Sequence, residues 1–270
     1  MLLSSLTSLQ QRVISALVLA PIAIGALYFG GVYFLAFLIG AAAIMTYEWC
    51  HASLETRPGL LTLLTALTVI SALILTYKFE FFQLVGVIIC GSLLTALAAF
   101  FRSKKELIVW AFFGPICIGI PVIALMTLRA IPETGFALTF GLFLVIWATD
   151  IGAYFSGKSI GGPRIAPSIS PNKTWAGLVG GVIAAMIVAY GVNSLLIGGQ
   201  VATFGILGLG AICAIFAQIG DFAESAWKRH FGIKDASNLI PGHGGVMDRL
   251  DGVFLTAPIL MMIILIWDGI

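Results

Sequence analysis

The sequence predicts an all-α polytopic membrane protein, with about nine transmembrane helices and a polar site facing the cytoplasm in its C-terminal half. Of its 270 residues, 60% are hydrophobic and only 10% are charged, whereas soluble domains carry about a quarter charged residues. The apolar residues form long uninterrupted runs, which favour bundled helices over an outer-membrane barrel. The net charge of +2, without a basic stretch interleaved with aromatic residues, predicts no nucleic-acid partner.

The apolar runs are long enough to cross a bilayer, which takes about 20 helical residues. Nine runs are found, near residues 13–29, 32–49, 60–77, 81–101, 107–128, 135–155, 175–197, 201–220 and 252–268. Pro115 and Pro121 are expected to kink the fifth run. The first run lacks a small-residue cleavage site, so we expect a retained span and not a removed signal peptide.

The basic residues predict how the spans are oriented. With nine spans, the loops on the side of the N-terminus hold 12 of the 14 lysines and arginines. These are Arg12, Arg57, Arg102, Lys104, Lys105, Lys158, Arg164, Lys173, Lys228, Arg229, Lys234 and Arg249. The opposite side holds only Lys78 and Arg129. The positive-inside rule therefore predicts a cytoplasmic N-terminus and an external C-terminus.

The chain is expected to have three regions. They are N-terminal spans over residues 1–106, middle spans with a basic cytoplasmic loop over 107–173, and a C-terminal catalytic region over 174–270. Residues 150–173 hold 4 charges and 221–251 hold 9, which together is half of the 26 in the chain, and none lies in 174–220. The uncharged stretch fits a helical hairpin that leaves the cytoplasm and returns. The two charged segments are therefore expected on the same side, where they can form one site.

Four polar side chains share one face of the helix expected to continue beyond the eighth span. Asp221, Glu224, Ser225 and Lys228 are spaced i, i+3, i+4 and i+7. Two carboxylates, a hydroxyl and an ammonium group suit a hard cation and an anionic substrate. The alternative is a solvated helix end with internal salt bridges.

A glycine-rich stretch, PGHGGVMDRLD over residues 241–251, leads into the ninth span. Gly244 and Gly245 allow close approach of the backbone, and free N–H groups at the start of a helix attract phosphate. His243 is a candidate for substrate binding or proton transfer near neutral pH. Hydrogen bonding within the turn is the alternative for this histidine.

The same stretch carries charged residues that we expect in the first turn of the ninth span. Asp248 and Asp251 lie three residues apart and would face the same way, and Arg249 offers a fork for phosphate oxygens. The alternative is a structural turn in which Asp248 or Asp251 caps the helix.

The other charged segment, residues 150–173, is expected to contain a flexible loop of small residues that grips a di- or triphosphate through Lys158, Arg164 and Lys173. The alternative is that these cations only orient the spans. That alternative applies more strongly to Lys158 and Arg164 than to Lys173, which lies in a constrained turn before a span. Asp150 closes an apolar span and is expected in a polar cavity, where it binds substrate or pairs with a cation.

The run SAWKRHFGIKDASNLIPGHGGVMDRLD, residues 225–251, resembles the signature of the phosphatidate cytidylyltransferases, also called CDP-diacylglycerol synthases. That signature is S-x-x-K-R, then K-D, then P-x-H-G-G-x-x-D-R-x-D. The stretches S-P-N-K-T-W-A-G at 170–177 and D-x-G-A-Y-x-x-G at 150–157 add to the resemblance. One departure is Asn172, where relatives often have Lys. The first 140 residues match only as hydrophobic spans.

The resemblance implies a bacterial inner-membrane enzyme of phospholipid biosynthesis that converts CTP and phosphatidic acid to CDP-diacylglycerol and pyrophosphate. It implies a homodimer that uses Mg2+, with a monovalent cation such as K+ near the acidic residues. Carried over by position, Asp221 and Asp248 are the implied metal ligands, and Lys173 is the implied phosphate-binding cation.

This chemistry gives each candidate residue an expected role. The expected catalytic residues are Asp221, Asp248, Asp251, Lys173, Lys228 and Arg229, which hold the metal or stabilise charge on the transferred phosphate. The expected substrate-binding residues are Asp150, Glu224, Ser225, His243, Gly244, Gly245 and Arg249.

Two other functions stay open from the residues alone. One is another membrane transferase that uses CTP or a lipid phosphate, such as a polyprenol kinase, because a metal–phosphate site does not name the acceptor. The other is a transporter with Asp150 or Asp221 as its cation-coupling site. CDP-alcohol phosphotransferases are disfavoured, since their D-x-x-D-G-x-x-A-R pattern is absent.

Overall fold

The chain is mainly helical in the computed structural model, which describes residues 8–54, 57–102, 105–240, 242 and 244–267. The helices are α1 (Ser8–Phe29), α2 (Gly31–Ser53), α3 (Leu60–Leu75), α4 (Phe81–Phe101), α5 (Ile108–Ala130), α6 (Gly135–Ile160), α7 (Trp175–Leu196), α8 (Thr203–His230), α9 (Met247–Leu250) and α10 (Val253–Ile266). A 3-10 turn over Lys105–Leu107 precedes α5. His243, one of the predicted site residues, lies outside the described residues.

Each predicted span coincides with a helix. Within the described ranges, six helices are long and apolar enough to cross a membrane, namely α2, α4, α5 with its preceding turn, α6, α7 and α8. Three shorter apolar helices, over Val13–Phe29, Leu60–Leu75 and Val253–Ile266, lie at the first, third and ninth predicted spans. The multi-pass helical class is therefore confirmed, while the number of crossings and their orientation stay predictions.

A small antiparallel hairpin interrupts the helices between α6 and α7. Strands β1 (Arg164–Ala166) and β2 (Ser170–Thr174) pair Arg164 with Thr174 and Ala166 with Ser170. The Trp175 N–H closes the base by donating to the Pro163 carbonyl at 3.1 Å. The sequence predicted a flexible loop here. The structure has an ordered hairpin instead, because the two short strands satisfy each other's backbone polar groups.

The chain divides into two compact units. The first unit contains the described residues within 1–127 and 230–250, and the second contains those within 128–229 and 251–270. The first unit therefore combines α1 to α4 and most of α5 with the segment that precedes α10. The three regions predicted from the sequence are a different division and stay a prediction.

Close packing of small residues holds the helices of the first unit together. Gly91 of α4 lies against Thr68 of α3, and Gly119 of α5 lies against Ile88 of α4, so closely that a Cβ on either glycine would overlap the facing side chain. The Trp49 indole N–H of α2 donates to the Trp110 carbonyl of α5 at 3.1 Å. Helix association in membranes depends on such contacts, because lipid provides no hydrophobic drive.

The second unit is built around the pairing of α6 with α7. A Cβ on Gly152 would lie 2.6 Å from the Cβ of Ala184 and 2.7 Å from the Gly180 carbonyl oxygen, so the two backbones nearly touch. The Thr174 side chain caps α7 by accepting the Gly177 N–H at 3.1 Å. This cap fixes the entrance of α7 and, with it, the preceding residue Lys173.

Candidate active site

The polar face predicted on the eighth span is present, because α8 continues as a helix through Asp221 to His230. The Ser225 hydroxyl donates to Asp221 Oδ1 at 3.4 Å. The Lys228 Nζ lies 3.4 Å from Glu224 Oε1, and the Glu224 side chain is only 1% exposed. The internal salt bridge considered as an alternative therefore exists, but it is buried and not solvated. The positive charge of Lys228 compensates the buried negative charge of Glu224 in the second unit.

The basic hairpin and the polar face of α8 meet at one ion pair. The Lys173 Nζ pairs with Asp221 Oδ2, and the same ammonium lies 4.4 Å from the centroid of the Phe222 ring. The two paired side chains are 21% and 30% exposed, so water screens them only in part. The predicted proximity of the two charged segments is confirmed at these residues. By contrast, Lys158 is exposed and its Nζ lies 3.3 Å from the Tyr154 hydroxyl.

Two further carboxylates of the second unit interact with Asp221 through their charges. Asp150 of α6 and Asp251, which precedes α10, both interact electrostatically with Asp221. Burial, and after it the Asp221 charge, raises the pKa of Asp251 to about 6, although Gly252 donates its N–H to Asp251 Oδ1 at 2.8 Å. Lys228 also lowers this pKa, but burial and the charges of Asp221 and Asp150 outweigh it. Asp150, Asp221 and Asp251, with Lys173, form what we call the acidic cluster.

The acidic cluster suits a hard cation by its chemistry. Carboxylate oxygens are the ligands that Mg2+ prefers, and the charges of Asp221 and Asp150 add to burial in raising the pKa of Asp251. Among the described residues, no three His, Cys, Asp or Glu side chains are already gathered at metal-binding distances. The donor chemistry therefore suits Mg2+, but the described carboxylates are not arranged as a metal-binding set, and Mg2+ at Asp221 stays a prediction.

Asp248 lies in the first unit and organises its own loop. Its Oδ2 accepts the Gly245 N–H at 2.8 Å and the Ala236 N–H at 2.9 Å. The expectation that Asp248 and Asp251 share the first turn of the ninth span was wrong. Helix α9 ends at Leu250, and the Asp251 side chain accepts the next N–H, which competes with helix continuation. A cation that binds Asp248 Oδ2 would compete with the two N–H groups that this oxygen accepts.

The two glycines of this loop are required by neighbouring carboxylates. Gly244 has a φ of 81°, and a Cβ there would lie 2.9 Å from Asp248 Oδ2. A Cβ on Gly245 would lie 2.5 Å from Glu48 Oε1. These contacts account for both glycines without a ligand, and their approach to phosphate stays a prediction.

Comparison with known proteins identifies the family. The model of the Cytidylyltransferase family matches residues 10–267. The chain is 36% identical over 261 residues to the phosphatidate cytidylyltransferase of Brucella suis, with 95% of this chain and 93% of the relative covered. The chain belongs to the cytidylyltransferase family. The chain is also similar to two other enzymes of the same name. It is 35% identical over 274 residues to the one from Pseudomonas aeruginosa, with 96% of this chain and 97% of the relative covered. It is 32% identical over 278 residues to the one from Haemophilus influenzae, with 93% and 96% covered.

Family membership makes the chain a nucleotidyltransferase, as its sequence motifs predicted. The match extends through the N-terminal spans, where the motifs were uninformative. Two further predicted site residues, Arg229 and Arg249, are exposed. Their substrate contacts stay predictions.

One functional candidate was missed in the sequence. Glu48 of α2 is 0% exposed, and its carboxylate accepts hydrogen bonds from Ser237, Val246 and Met247. A carboxylate inside an apolar run is the signal that could have found it. That rule singled out Asp150, but it applies equally to Glu48.

Proposed function

We propose that the chain is a phosphatidate cytidylyltransferase, which converts CTP and phosphatidic acid to CDP-diacylglycerol and pyrophosphate. The observation that carries the proposal is the Lys173–Asp221 ion pair within the acidic cluster. It joins a phosphate-binding cation to a carboxylate suited to Mg2+ in one compact unit. The relatives that bear this enzyme's name, which match over nearly their whole length, support the same substrates.

The proposed reaction is one displacement at phosphorus. An oxygen of the phosphatidic acid phosphate bonds to the α-phosphorus of CTP, and the bond from that phosphorus to the bridging oxygen of the β-phosphate breaks. The electron pair leaves with pyrophosphate. No protein nucleophile is needed, because the lipid phosphate is already ionised. The main barrier for the protein to lower is the repulsion between two anionic substrates.

Cationic side chains are proposed to lower this repulsion. Lys173 holds Asp221 in the free protein, and it would turn to a substrate phosphate when Asp221 binds a cation. Lys228 and Arg229, about two turns beyond Asp221 on α8, would stabilise charge on the transferred group. Ser225 would keep Asp221 oriented through its hydroxyl, 3.4 Å away. Asp251 would add negative charge that attracts the cation.

Mg2+ is the proposed cofactor, with Asp221 and Asp248 as its protein ligands and K+ as a second cation. Bound Mg2+ neutralises phosphate oxygens and stabilises leaving pyrophosphate. We further propose a homodimer in a bacterial inner membrane, with the N-terminus in the cytoplasm so that CTP arrives from water. A reporter fused to the C-terminus tests this orientation, since a cytoplasmic reporter would contradict it.

The deciding experiment incubates the purified, detergent-solubilised protein with labelled CTP, phosphatidic acid and Mg2+. We expect CDP-diacylglycerol and pyrophosphate in equal amounts, and neither product when Mg2+ is chelated. A parallel reaction with a polyprenol in place of phosphatidic acid is the acceptor control. Folded protein that makes neither product, or that prefers the polyprenol, would contradict the proposal.

A further inference from the structure

Glu48 connects a transmembrane helix to the loop that carries the D-R-x-D motif. Its Oε1 accepts the Ser237 hydroxyl at 2.6 Å and the Val246 N–H at 2.9 Å, and its Oε2 accepts the Met247 N–H at 2.8 Å. The donors lie 189 to 199 residues away in the sequence, yet all belong to the first unit. Both oxygens of one buried side chain are thus used to hold one distant loop.

Burying a carboxylate completely is costly unless hydrogen bonds compensate it. A simple packing role would be filled better by an apolar residue at this position of α2. The hydrogen-bond donors are also specific, since the N–H groups of Val246 and Met247 lie at the start of α9, where a helix leaves its N–H groups unsatisfied. Glu48 therefore supplies from another helix what a local cap would normally supply.

The contacts of Glu48 and Asp248 form one continuous network. Glu48 Oε1 accepts a hydrogen bond from the Val246 N–H. Asp248 Oδ2 accepts one from the N–H of Gly245, which directly precedes Val246. The absence of a Cβ on Gly245 lets the Glu48 carboxylate approach. A shift of Glu48 would therefore move the backbone that orients the Asp248 carboxylate.

The residue after Glu48 anchors the start of the same segment. The Trp49 indole N–H donates to the Trp110 carbonyl, and the Trp110 ring lies 5.0 Å from the His230 ring and 4.9 Å from the Phe231 ring. Within the first unit, residues 230–250 are thus contacted near their start by Trp110, which Trp49 binds, and near their end by Glu48.

We propose that Glu48 is a positioning residue: it fixes the glycine loop, defined as residues 244–247, so that Asp248 is held ready for its cation. This inference rests on the proposed function in one respect, namely that Asp248 binds Mg2+. Groups that orient ligand residues affect metal binding strongly, and their loss costs about 10- to 100-fold in metal affinity or activity.

The first test measures amide hydrogen exchange in metal-free protein. Glu48→Gln keeps the size of the side chain but presents an NH2 group to one of the three donors. We expect exchange in peptides covering Val246 and Met247 to become about tenfold faster, the loss expected for a hydrogen bond to a charged acceptor. Glu106→Gln, which changes an exposed carboxylate of the same unit, should leave these peptides unchanged. Unchanged exchange in Glu48→Gln would overturn the proposal.

The second test separates positioning from a purely structural role. The Mg2+ concentration for half-maximal thermal stabilisation, and that for half-maximal turnover, should both rise about 10-fold or more in Glu48→Gln. Glu48→Asp should recover part of both effects. If exchange accelerates while both Mg2+ midpoints stay at wild-type values, Glu48 only anchors the loop, and the positioning role is wrong.

The proposal can still be tested if Glu48→Gln does not fold or if the wild-type protein is inactive. Should Glu48→Gln not fold, wild-type exchange still decides, because unprotected Val246 and Met247 amides would overturn the proposal. Ser237→Ala then serves as the milder variant, with an expected rise of about threefold in the Mg2+ midpoint. Should the wild-type protein lack cytidylyltransferase activity, the proposed function fails, while the exchange and thermal Mg2+ measurements still test Glu48.

Discussion

The carboxylates of the two units differ in what compensates their charge. In the first unit, Glu48 and Asp248 accept well-formed hydrogen bonds, mostly from backbone N–H groups. In the second unit, Asp150, Asp221 and Asp251 interact electrostatically with one another, and Asp221 is paired with the ammonium group of Lys173. The first arrangement orders a loop, whereas the second leaves negative charge that a bound cation could neutralise.

This difference indicates that residue type alone does not assign a role in a membrane enzyme. A carboxylate with both oxygens occupied by fixed donors, as in Glu48, has little left to offer a metal. A carboxylate whose partner is a flexible lysine can exchange that partner for a metal or a substrate. We therefore expect substitutions in the acidic cluster to affect chemistry first, and substitutions around Glu48 to affect loop order first.

The largest expected effect is that of Asp221→Asn. Removing the central charge of the acidic cluster should lower turnover by at least about 100- to 1,000-fold, since it removes the main cation-binding group. The fold should persist, because the amide oxygen of the introduced asparagine can still accept the Ser225 hydroxyl. Glu133→Gln, which changes an exposed carboxylate of the same unit, is the control and should retain full turnover. Turnover of Asp221→Asn near the wild-type rate would remove the metal assignment.

The next effect compares two lysines of the basic segment. Lys173→Gln should lower turnover about 100-fold, because this cation belongs to the acidic cluster. Lys158→Gln should lower it by less than about threefold, because that exposed side chain lies against Tyr154 and does not belong to the acidic cluster. Steady-state rates at saturating CTP measure both. Equal losses would mean that the whole segment, and not Lys173 alone, grips the substrate.

Most features that depend on residues close in sequence could be predicted, and most of those that depend on distant residues could not. The spans and the shared face of Asp221 and Ser225 follow from local periodicity, which the 3.6-residue repeat fixes. The Lys173–Asp221 pair was predicted as a proximity of two charged segments, since both were expected on one side of the membrane. The hydrogen bonds of Glu48 could not be predicted, because they join residues nearly 200 positions apart. The break between Asp248 and Asp251 was missed because a side-chain contact decides it.

A smaller effect tests the loop-ordering carboxylates. Gly245→Ala should destabilise the protein by about 1–3 kcal/mol, because the new Cβ meets the Glu48 carboxylate. Gly208→Ala is the matched control, since a Cβ there meets nothing within 4 Å. Thermal unfolding in detergent measures both. Combining Gly245→Ala with Glu48→Ala should cost less than the sum of the single changes, since the clash is then gone. An additive double variant would place the clash elsewhere.

The smallest expected effect is a gain in stability when Asp251, one carboxylate of the acidic cluster, is made neutral. The pKa of Asp251 is about 6 in the folded protein against an ordinary 3.8, so the folded state holds this proton more tightly than the unfolded state. The stability due to this group is complete below about pH 3.8 and is lost as the pH rises through about 6. At pH 7.5 without metal, Asp251→Asn should therefore be more stable than wild type, by at most about 3 kcal/mol and by less where water screens the partly exposed side chain. The advantage should shrink at pH 4.5, and it should also shrink when Mg2+ stabilises the wild-type cluster. A variant less stable than wild type at pH 7.5 in chelator would mean that the cluster is already balanced without a cation, and the contrast between the two units would then disappear.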